Sequence, residues 1–194
     1  MSTSSLSHSN SPLYKQILFT QQEIEQRIQA MAETIVKTYD SKQTLFVCIL
    51  NGALPFSVKL MEAISAYNPE YQPNLQTIYI SRYGANRSSG ETHIVHDLSP
   101  EYHDLRGKHV VLLDDLVDEG GTLTFLEGHM KHYGAEKVDA VVLIKKQKPY
   151  PPPPIVTDFG FTAPDKWLTG MGMDDTRLGI EANRWAPWIA IAND

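Results

Sequence analysis

Short apolar runs recur along the chain, and polar or turn residues separate them. The runs are rich in aliphatic and β-branched side chains, and they are far shorter than the roughly 18 residues that a membrane span requires. Continuous runs of this length are typical of strands that are buried on both faces of a parallel sheet. We therefore predict strands at residues 44–50, 75–83, 108–115 and 137–146.

Helical spacing of apolar residues marks the segments between these runs. Thr20 and Glu23 form a capping box ahead of the first helix. Pro55 marks the start of a second helix, because the first turn of a helix tolerates proline. A third helix is predicted from Thr122 onwards and is closed by Gly134. Strands that alternate with helices predict a parallel sheet with helices on both faces.

The pattern changes after Lys148. The stretch PYPPPP, residues 149–154, must be extended, and we interpret it as a stiff connector in preference to a ligand for a proline-binding module. Three short strand-like pieces follow it, IVTDFGF, KWLTGMGM and WIAI, and they predict a small antiparallel appendage. The chain is long enough for one sizeable core, so we expect a single domain over residues 13–194.

Composition narrows the class of protein. The 17 basic and 23 acidic residues give a net charge of −6, which argues against nucleic acid or an anionic membrane as a partner. Residues 1–12 are serine-rich and lack the features of a signal peptide, so we expect a flexible tail. Cys48 is the sole cysteine, which excludes a disulfide within the chain. These features predict a cytoplasmic protein.

The stretch VVLLDDLVDEGGTLTFL, residues 110–126, carries the candidate chemistry. Ligands of open parallel sheets bind beyond the carboxyl ends of the strands, and this stretch lies at such an end. Its two glycines and the helix start that follows would present backbone N–H groups to a phosphate. Its acids would suit hydroxyl groups, a Mg²⁺ ion or a proton to be removed. A ribose phosphate that also carries a diphosphate meets both demands, whereas the simplest alternative is a solvated turn.

Residues 110–123 resemble the phosphoribosyl pyrophosphate signature of the type I phosphoribosyltransferases. That signature is an apolar strand followed by two acids, two apolar residues, Asp, a small residue, Gly, any residue and Thr. Four further segments sharpen the resemblance to the hypoxanthine-guanine branch of the family. They are ILNGALPF, SRYGANRSSG, VVLIKK and FGFTAPDKWLTGMGMDD, and they follow the family's order between about residues 44 and 192.

The resemblance implies a fold and a reaction. The fold is α/β, a twisted parallel sheet with flanking helices at about residues 40–148, with a small hood subdomain from the N-terminal part and about residues 155–194. The reaction joins hypoxanthine or guanine to the ribose of phosphoribosyl pyrophosphate, giving IMP or GMP and pyrophosphate, with Mg²⁺ as cofactor. A homo-oligomer, either a dimer or a tetramer, is implied as well.

The resemblance also implies which residues build the site. Those for phosphoribosyl pyrophosphate are Asn51, Gly52, Asp114, Asp115, Glu119, Gly120, Gly121, Thr122 and Arg184. Those for the purine are Lys145, Trp167 and Leu168, and those of the lid are Ser81, Arg82 and Tyr83. Asp118 manages the proton on N7 of the purine, and Asp174 binds Mg²⁺ together with Asp114 and Asp115.

Each residue of the purine group has an implied task. Lys145 donates a hydrogen bond to the 6-oxo group, which favours 6-oxopurines over adenine. Its neighbour Lys146 is the rival assignment for this task. Trp167 stacks on the ring, and the backbone of Leu168 reads the edge that bears the 2-substituent.

Some positions depart from the family pattern or leave a choice. Glu119 stands where Thr or Ser is more usual, so we expect its side chain to point away from the phosphate. Asn51 replaces a common lysine, and a cis peptide is implied between Asn51 and Gly52. Arg184 is obtained by counting back from the last strand, and Arg177 by counting forward from Asp174.

Two other functions remain open. A non-catalytic regulator could sense phosphoribosyl pyrophosphate with the same fold, because fold alone does not fix function. The joint presence of the catalytic and purine residues argues against this regulator. A transferase that prefers xanthine would show a higher kcat/KM for that base than for hypoxanthine or guanine.

Overall fold

The computed structural model describes residues 14–81, 92–175 and 181–193. The α-helices are α1 at Gln21–Thr38, α2 at Leu54–Tyr67 and α3 at Gly121–His132, and a 3-10 helix lies at Pro100–Tyr102. The strands are β1 at Gln16–Phe19, β2 at Thr44–Leu50, β3 at Asn74–Ser81, β4 at His93–His96, β5 at His109–Val117, β6 at Lys137–Lys146, β7 at Val156–Ala163, β8 at Leu168–Thr169 and β9 at Ile189–Ile191. The flexible tail expected at residues 1–12 lies outside the described residues.

The first helix begins as the capping box predicts. The backbone N–H of Thr20 donates to Glu23 Oε2 at 2.8 Å, and the backbone N–H of Glu23 donates to Thr20 Oγ1 at 3.4 Å. These bonds satisfy two N–H groups that a helix start leaves without partners inside the helix. The helix then buries Ile24, Ile28, Met31, Ala32 and Ile35, which are the residues on its apolar stripe.

The large sheet has six strands in the order β4-β3-β2-β5-β6-β7. All its neighbouring pairs are parallel except β3 with the edge strand β4. Thr44 pairs with His109, and His109 pairs with Lys137, so the three central strands begin level with one another. Their carboxyl ends consequently reach the same edge of the sheet.

Helices cover both faces of this sheet. On one face, α1 and α2 pack on inward side chains such as Phe46, Val111 and Val141. On the other face, α3 packs on side chains such as Val110 and Val142. The fold class predicted from the sequence, α/β with a parallel sheet and flanking helices, is confirmed.

A small antiparallel sheet joins the two ends of the described chain. Its order is β1-β9-β8, so the last strand lies in the middle. Leu168 pairs with Ile191, and the backbone N–H of Ala192 donates to the Trp167 carbonyl at 2.9 Å. The small sheet therefore fixes the backbone around Trp167 and Leu168.

Four features differ from the sequence expectations. The piece IVTDFGF was placed in the antiparallel appendage, but β7 is a sixth strand of the large sheet, parallel to β6, with Val156 opposite Ala140. The pattern of apolar residues predicts that a segment forms a strand, but it does not predict which strand it pairs with. The placement of IVTDFGF was wrong for that reason. The strand β4 lies within a stretch that showed no strong periodicity, and β1 was not predicted. The cis peptide lies between Leu50 and Asn51, one bond earlier than implied.

Among the residues that the structure describes, no helix is both long enough and apolar enough to cross a membrane.

Candidate active site

Several of the predicted site residues lie at the carboxyl edge of the large sheet. Asn51 follows β2, Asp118 follows β5, and Asp165 follows β7 within the loop that leads to Trp167. Because β2, β5, β6 and β7 are parallel, the loops that follow them meet at this edge. The arrangement brings acids, lysines and a helix start into one region.

The phosphate loop, residues 118–122, turns from β5 into α3. Gly120 has φ of 79°, in the left-handed region, and forms the N-cap of α3. Thr122 is buried in the first turn of the helix, whereas Glu119 is exposed. The exposure of Glu119 agrees with the expectation that its side chain points away from the loop. Helix starts favour anions, because the first N–H groups of a helix have no acceptor inside the helix itself.

The proline-rich connector lies directly against this loop. A Cβ at Gly120 would overlap the ring of Pro153. The residues of the connector belong to no helix or strand, with bends at residues 149 and 150 and a turn at residue 154. The connector thus forms one wall of the phosphate loop.

Four charged side chains meet beside the phosphate loop. Lys146 Nζ lies 2.8 Å from Asp118 Oδ2, and Lys148 Nζ lies 2.6 Å from Asp118 Oδ1. Lys148 Nζ also lies 2.9 Å from Asp165 Oδ1, and Lys146 Nζ lies 3.7 Å from the same atom. The two lysine side chains are 10% and 15% exposed, so both ammonium groups are largely removed from solvent.

These contacts keep Asp118 ionised. Burial opposes ionisation, but the hydrogen bonds and charges of Lys146 and Lys148 outweigh it, so the pKa of Asp118 lies below its ordinary value. The hydrogen bond to Asp118, followed by that to Asp165, raises the pKa of Lys148. The carboxylate of Asp118 is consequently available as a proton acceptor at neutral pH.

Lys145 does not belong to the four charged side chains that meet beside the phosphate loop. Its ammonium lies over the ring of Phe159, 4.1 Å from the centroid, in a cation–π contact. Lys146, which was weighed as the rival, is the lysine that lies beside Asp118. The two neighbours point to different sides of β6 because successive side chains of a strand alternate.

Asp114 and Asp115 lie near the end of β5, beside Gly52. The backbone N–H of Asp115 donates to Asp114 Oδ1 at 3.1 Å. A Cβ at Gly52 would overlap the carboxylate of Asp115, so a side chain at this position would displace that carboxylate. Burial raises the pKa of Asp115, against the hydrogen bond to Asp114 and the charge of Arg184.

Arg184 links these acids to the segment that holds Asp174. Its guanidinium donates to the Gly172 carbonyl at 2.5 Å and lies 3.1 Å from Asp174 Oδ2. Arg184 is only 9% exposed, and a Cβ at Gly172 would overlap the Gly52 carbonyl oxygen. Arg184 therefore lies in the site, whereas its rival Arg177 lies outside the described residues.

Trp167 presents a large ring at the rim of the site. The side chain is 47% exposed, and its indole N–H donates to the Asp174 carbonyl at 3.3 Å. Leu168, the next residue, is buried in β8. An exposed aromatic ring beside polar groups suits stacking on a planar ligand.

The acids of the site are candidate ligands for a metal ion. Within the described ranges, no three His, Cys, Asp or Glu side chains are close enough to hold a metal ion by themselves. Mg²⁺ is commonly held by one or two carboxylates together with the phosphates of a substrate. Asp114 and Asp115 fit that arrangement, because they supply hard oxygen ligands next to the phosphate loop. Asp174, the third implied ligand, pairs with Arg184.

The predicted lid is only partly described. Ser81 is the last residue of β3 and pairs with His93 of β4. Arg82 and Tyr83 lie outside the described residues. The lid role of all three residues stays a prediction.

Sequence reasoning missed Lys148 and Asp165. Both belong to segments that were singled out for other residues, namely Lys145 and Trp167. The signal that could have found Lys148 is its spacing of two from Lys146, which places alternate residues of an extended chain on one side.

The chain is similar in sequence to known proteins. A family model described as the phosphoribosyl transferase domain matches residues 15–176. The chain is 32% identical over 162 residues to a hypoxanthine-guanine phosphoribosyltransferase of Dictyostelium discoideum, a match that covers 82% of this chain and 87% of that protein. It is 29% identical over 166 residues to the Streptococcus thermophilus protein of the same name, with 82% and 85% covered.

A solved structure shares the fold. The hypoxanthine phosphoribosyltransferase from Trypanosoma cruzi, in complex with the product IMP, superposes with a TM-score of 0.78 at 23% identity. The match covers 95% of this chain and 97% of that one.

Proposed function

This chain belongs to the phosphoribosyltransferase family, and we infer from that membership and from its site that it is a purine salvage enzyme, a hypoxanthine-guanine phosphoribosyltransferase. It transfers the ribose phosphate of phosphoribosyl pyrophosphate to hypoxanthine or guanine. The products are IMP or GMP and pyrophosphate. The observation that carries the proposal is the contact of Asp118 with Lys146, immediately before the phosphate loop.

The reaction forms one bond to C1 of the ribose and breaks another. N9 of the purine attacks C1, and the pyrophosphate oxygen leaves with the electron pair of the bond that breaks. Positive charge develops on the sugar, and the carboxylates of Asp114 and Asp115 are placed to stabilise it. The backbone N–H groups of residues 119–122 hold the 5′-phosphate, and Asn51 and Gly52 contact the pyrophosphate with help from Arg184.

Asp118 accepts the proton that the purine must lose. As N9 bonds to C1, the proton on N7 moves to a carboxylate oxygen of Asp118. The low pKa of this carboxyl keeps it in the accepting form before the base binds. The carboxylate can hold both the proton and the lysine contacts, because its two oxygens offer about four lone-pair positions.

We assign the purine-reading task to Lys146 in place of Lys145. The ammonium of Lys146 lies beside Asp118, which is where the 6-oxo group must lie if N7 faces that carboxylate. An ammonium can only donate, so it accepts a 6-oxo group and rejects the 6-amino group of adenine. Trp167 stacks on the ring, and the Leu168 backbone faces the 2-substituent.

The family uses a divalent metal ion, and we propose Mg²⁺ for this chain. Asp174 would hold it together with Asp114, Asp115 and the diphosphate of the substrate. The ion would supply charge neutralisation for the departing pyrophosphate. A homo-oligomer, dimer or tetramer, is proposed as well, and light scattering of the purified protein would measure it.

The first test is an initial-rate assay of nucleotide formation. Purified protein, Mg²⁺ and phosphoribosyl pyrophosphate would be offered hypoxanthine, guanine or adenine separately. We expect turnover of both 6-oxopurines and no turnover of adenine. Tight binding of phosphoribosyl pyrophosphate without turnover of any base would instead identify the non-catalytic sensor.

A further inference from the structure

Lys148 contacts the same aspartate as Lys146 but has no task in the reaction described above. Its ammonium contacts Asp118 Oδ1 at 2.6 Å and Asp165 Oδ1 at 2.9 Å. Its side chain is nearly as buried as that of Lys146. Lys148 is thus a second cation on the aspartate that faces the purine.

The group formed by Asp118, Asp165, Lys146 and Lys148 has no net charge, and Lys148 supplies the second positive charge. Asp118 and Asp165 contribute two negative charges, and Lys146 and Lys148 contribute two positive ones. Without Lys148 the group would carry a net charge of −1. Lys145 does not compensate, since its ammonium lies over Phe159.

We propose that Lys148 is a specificity-determining residue that admits anionic 6-oxopurines to the base site. The proposal rests on the proposed function and deepens it by naming a further substrate class. Xanthine is the base of this class, because it loses a ring proton near neutral pH. Hypoxanthine and guanine stay neutral under the same conditions.

The physical reason is Coulombic repulsion. An anion that enters a partly buried site of net charge −1 is repelled, whereas one that enters a neutral site is not. At separations of roughly 6 Å and an effective dielectric constant of about 40, one unit charge changes affinity on the order of tenfold. The affinity for a neutral purine depends little on this charge. The ratio of kcat/KM for xanthine to kcat/KM for hypoxanthine therefore reports the charge of the site.

The test compares the kcat/KM of xanthine with that of hypoxanthine at one mildly alkaline pH. We expect Lys148→Met to lower the xanthine-to-hypoxanthine ratio on the order of tenfold. Lys148→Arg should keep the ratio, because it keeps the charge. Lys166→Met is the matched control, since it removes an exposed lysine of the neighbouring loop and should leave the ratio unchanged.

Guanine separates charge from the size of the 2-substituent. Its kcat/KM relative to hypoxanthine should not change in Lys148→Met, although it also carries a group at position 2. A parallel fall for guanine and xanthine would overturn the proposal. Lys148→Gln provides a second neutral variant if the methionine variant does not fold.

Other results overturn the proposal without touching the proposed function. A native protein that converts hypoxanthine but not xanthine would refute Lys148 as an admitting residue, and so would an unchanged ratio in the neutral variants. A native protein that converts no purine would refute the proposed function itself. The two failures are therefore distinguishable in one assay.

Discussion

At the scale of single residues, the neighbouring lysines Lys145 and Lys146 have different surroundings. They are neighbours of the same type, yet one covers an aromatic ring and the other contacts Asp118. The sequence predicts that successive side chains of β6 point to opposite faces of the sheet. It does not predict which face lies towards the ligand, because that depends on how β6 packs between β5 and β7. The sequence analysis consequently chose Lys145, and the geometry favours Lys146.

These neighbours offer a matched pair of variants. We expect Lys146→Met to lower kcat/KM for hypoxanthine by about ten- to a hundredfold, the loss of a charged hydrogen bond. Lys145→Met should change it little and should lower the free energy of unfolding by about 0.5–1 kcal/mol, through loss of the cation–π contact. Steady-state kinetics and urea unfolding measure the two effects, and equal kinetic losses in both variants would contradict the assignment.

A variant of Asp118 tests its role as the proton acceptor. Asp118→Asn keeps the shape of the side chain but removes the proton acceptor, so turnover should fall by about 10²- to 10⁴-fold. Binding of phosphoribosyl pyrophosphate should change little, as calorimetric titration would measure. Asp104→Asn is the control, because Asp104 is an exposed aspartate that pairs with Arg106. Unchanged turnover in Asp118→Asn would remove Asp118 from the mechanism.

At the scale of elements, the connector and the phosphate loop depend on each other. Gly120 requires a left-handed backbone and also leaves room for Pro153. We expect Gly120→Ala to lower the free energy of unfolding by more than about 1–2 kcal/mol, since backbone strain and overlap add. Gly128→Ala in α3 meets nothing within 4 Å and should stabilise the protein by about 0.5–1 kcal/mol. Urea unfolding compares the two, and equal effects would argue against the wall formed by the connector.

A second link joins the segment after β4 to α3. Asp97 accepts hydrogen bonds from His129 at 3.0 Å and from the Tyr133 hydroxyl at 2.7 Å. Burial would raise the pKa of Asp97, but these bonds and that from the Leu98 N–H outweigh it and lower the pKa. A carboxyl with a lowered pKa stabilises the fold fully above its ordinary pKa of 3.8, and this contribution is lost as pH falls through the lower folded value.

The variant Asp97→Asn tests that link. The free energy of unfolding of the native protein should fall more steeply than that of the variant as pH drops below the ordinary aspartate pKa. Urea unfolding at a series of acid pH values measures both slopes. Identical slopes would show that the bonds to Asp97 do not persist in solution.

Elements differ in how well the sequence predicted them. The strands at Thr44–Leu50 and Lys137–Lys146 were predicted to the residue, because both are continuous apolar runs. The strand His93–His96 was missed, since four residues give too little periodicity to stand out from a loop. Val156–Ala163 was recognised as a strand but given the wrong sheet, because strand pairing depends on tertiary contacts.

At the scale of the whole molecule, the proposed active site and a buried hydrogen-bond network lie at opposite edges of the large sheet. Asp139 lies at the amino edge, where it is buried and accepts hydrogen bonds from His109 at 2.9 Å, Lys137 at 2.8 Å and Tyr39 at 3.3 Å. Burial raises the pKa of Tyr39 to about 12, so its hydroxyl remains a donor. This network joins α1 to β5 and β6.

The separation predicts a variant that loses stability and keeps its activity. Asp139→Ala should lower the free energy of unfolding by about 2–3 kcal/mol, because several donors lose a charged acceptor. Its kcat should stay near that of the native protein at temperatures where it is folded. Lys137→Met, which removes only the exposed partner, should cost about 0–1 kcal/mol. A large fall in kcat would show that the two edges are coupled.

The position of β9 between β1 and β8 bears on synthesis at the ribosome. Gln16 pairs with Ile191, so β1 is synthesised well before the strand with which it pairs. Neither β1 nor β8 has another partner among the described residues, and the small sheet forms only once residues 189–191 have emerged. A nascent chain can therefore assemble the large sheet and its phosphate loop first, and it fixes the backbone around Trp167 last.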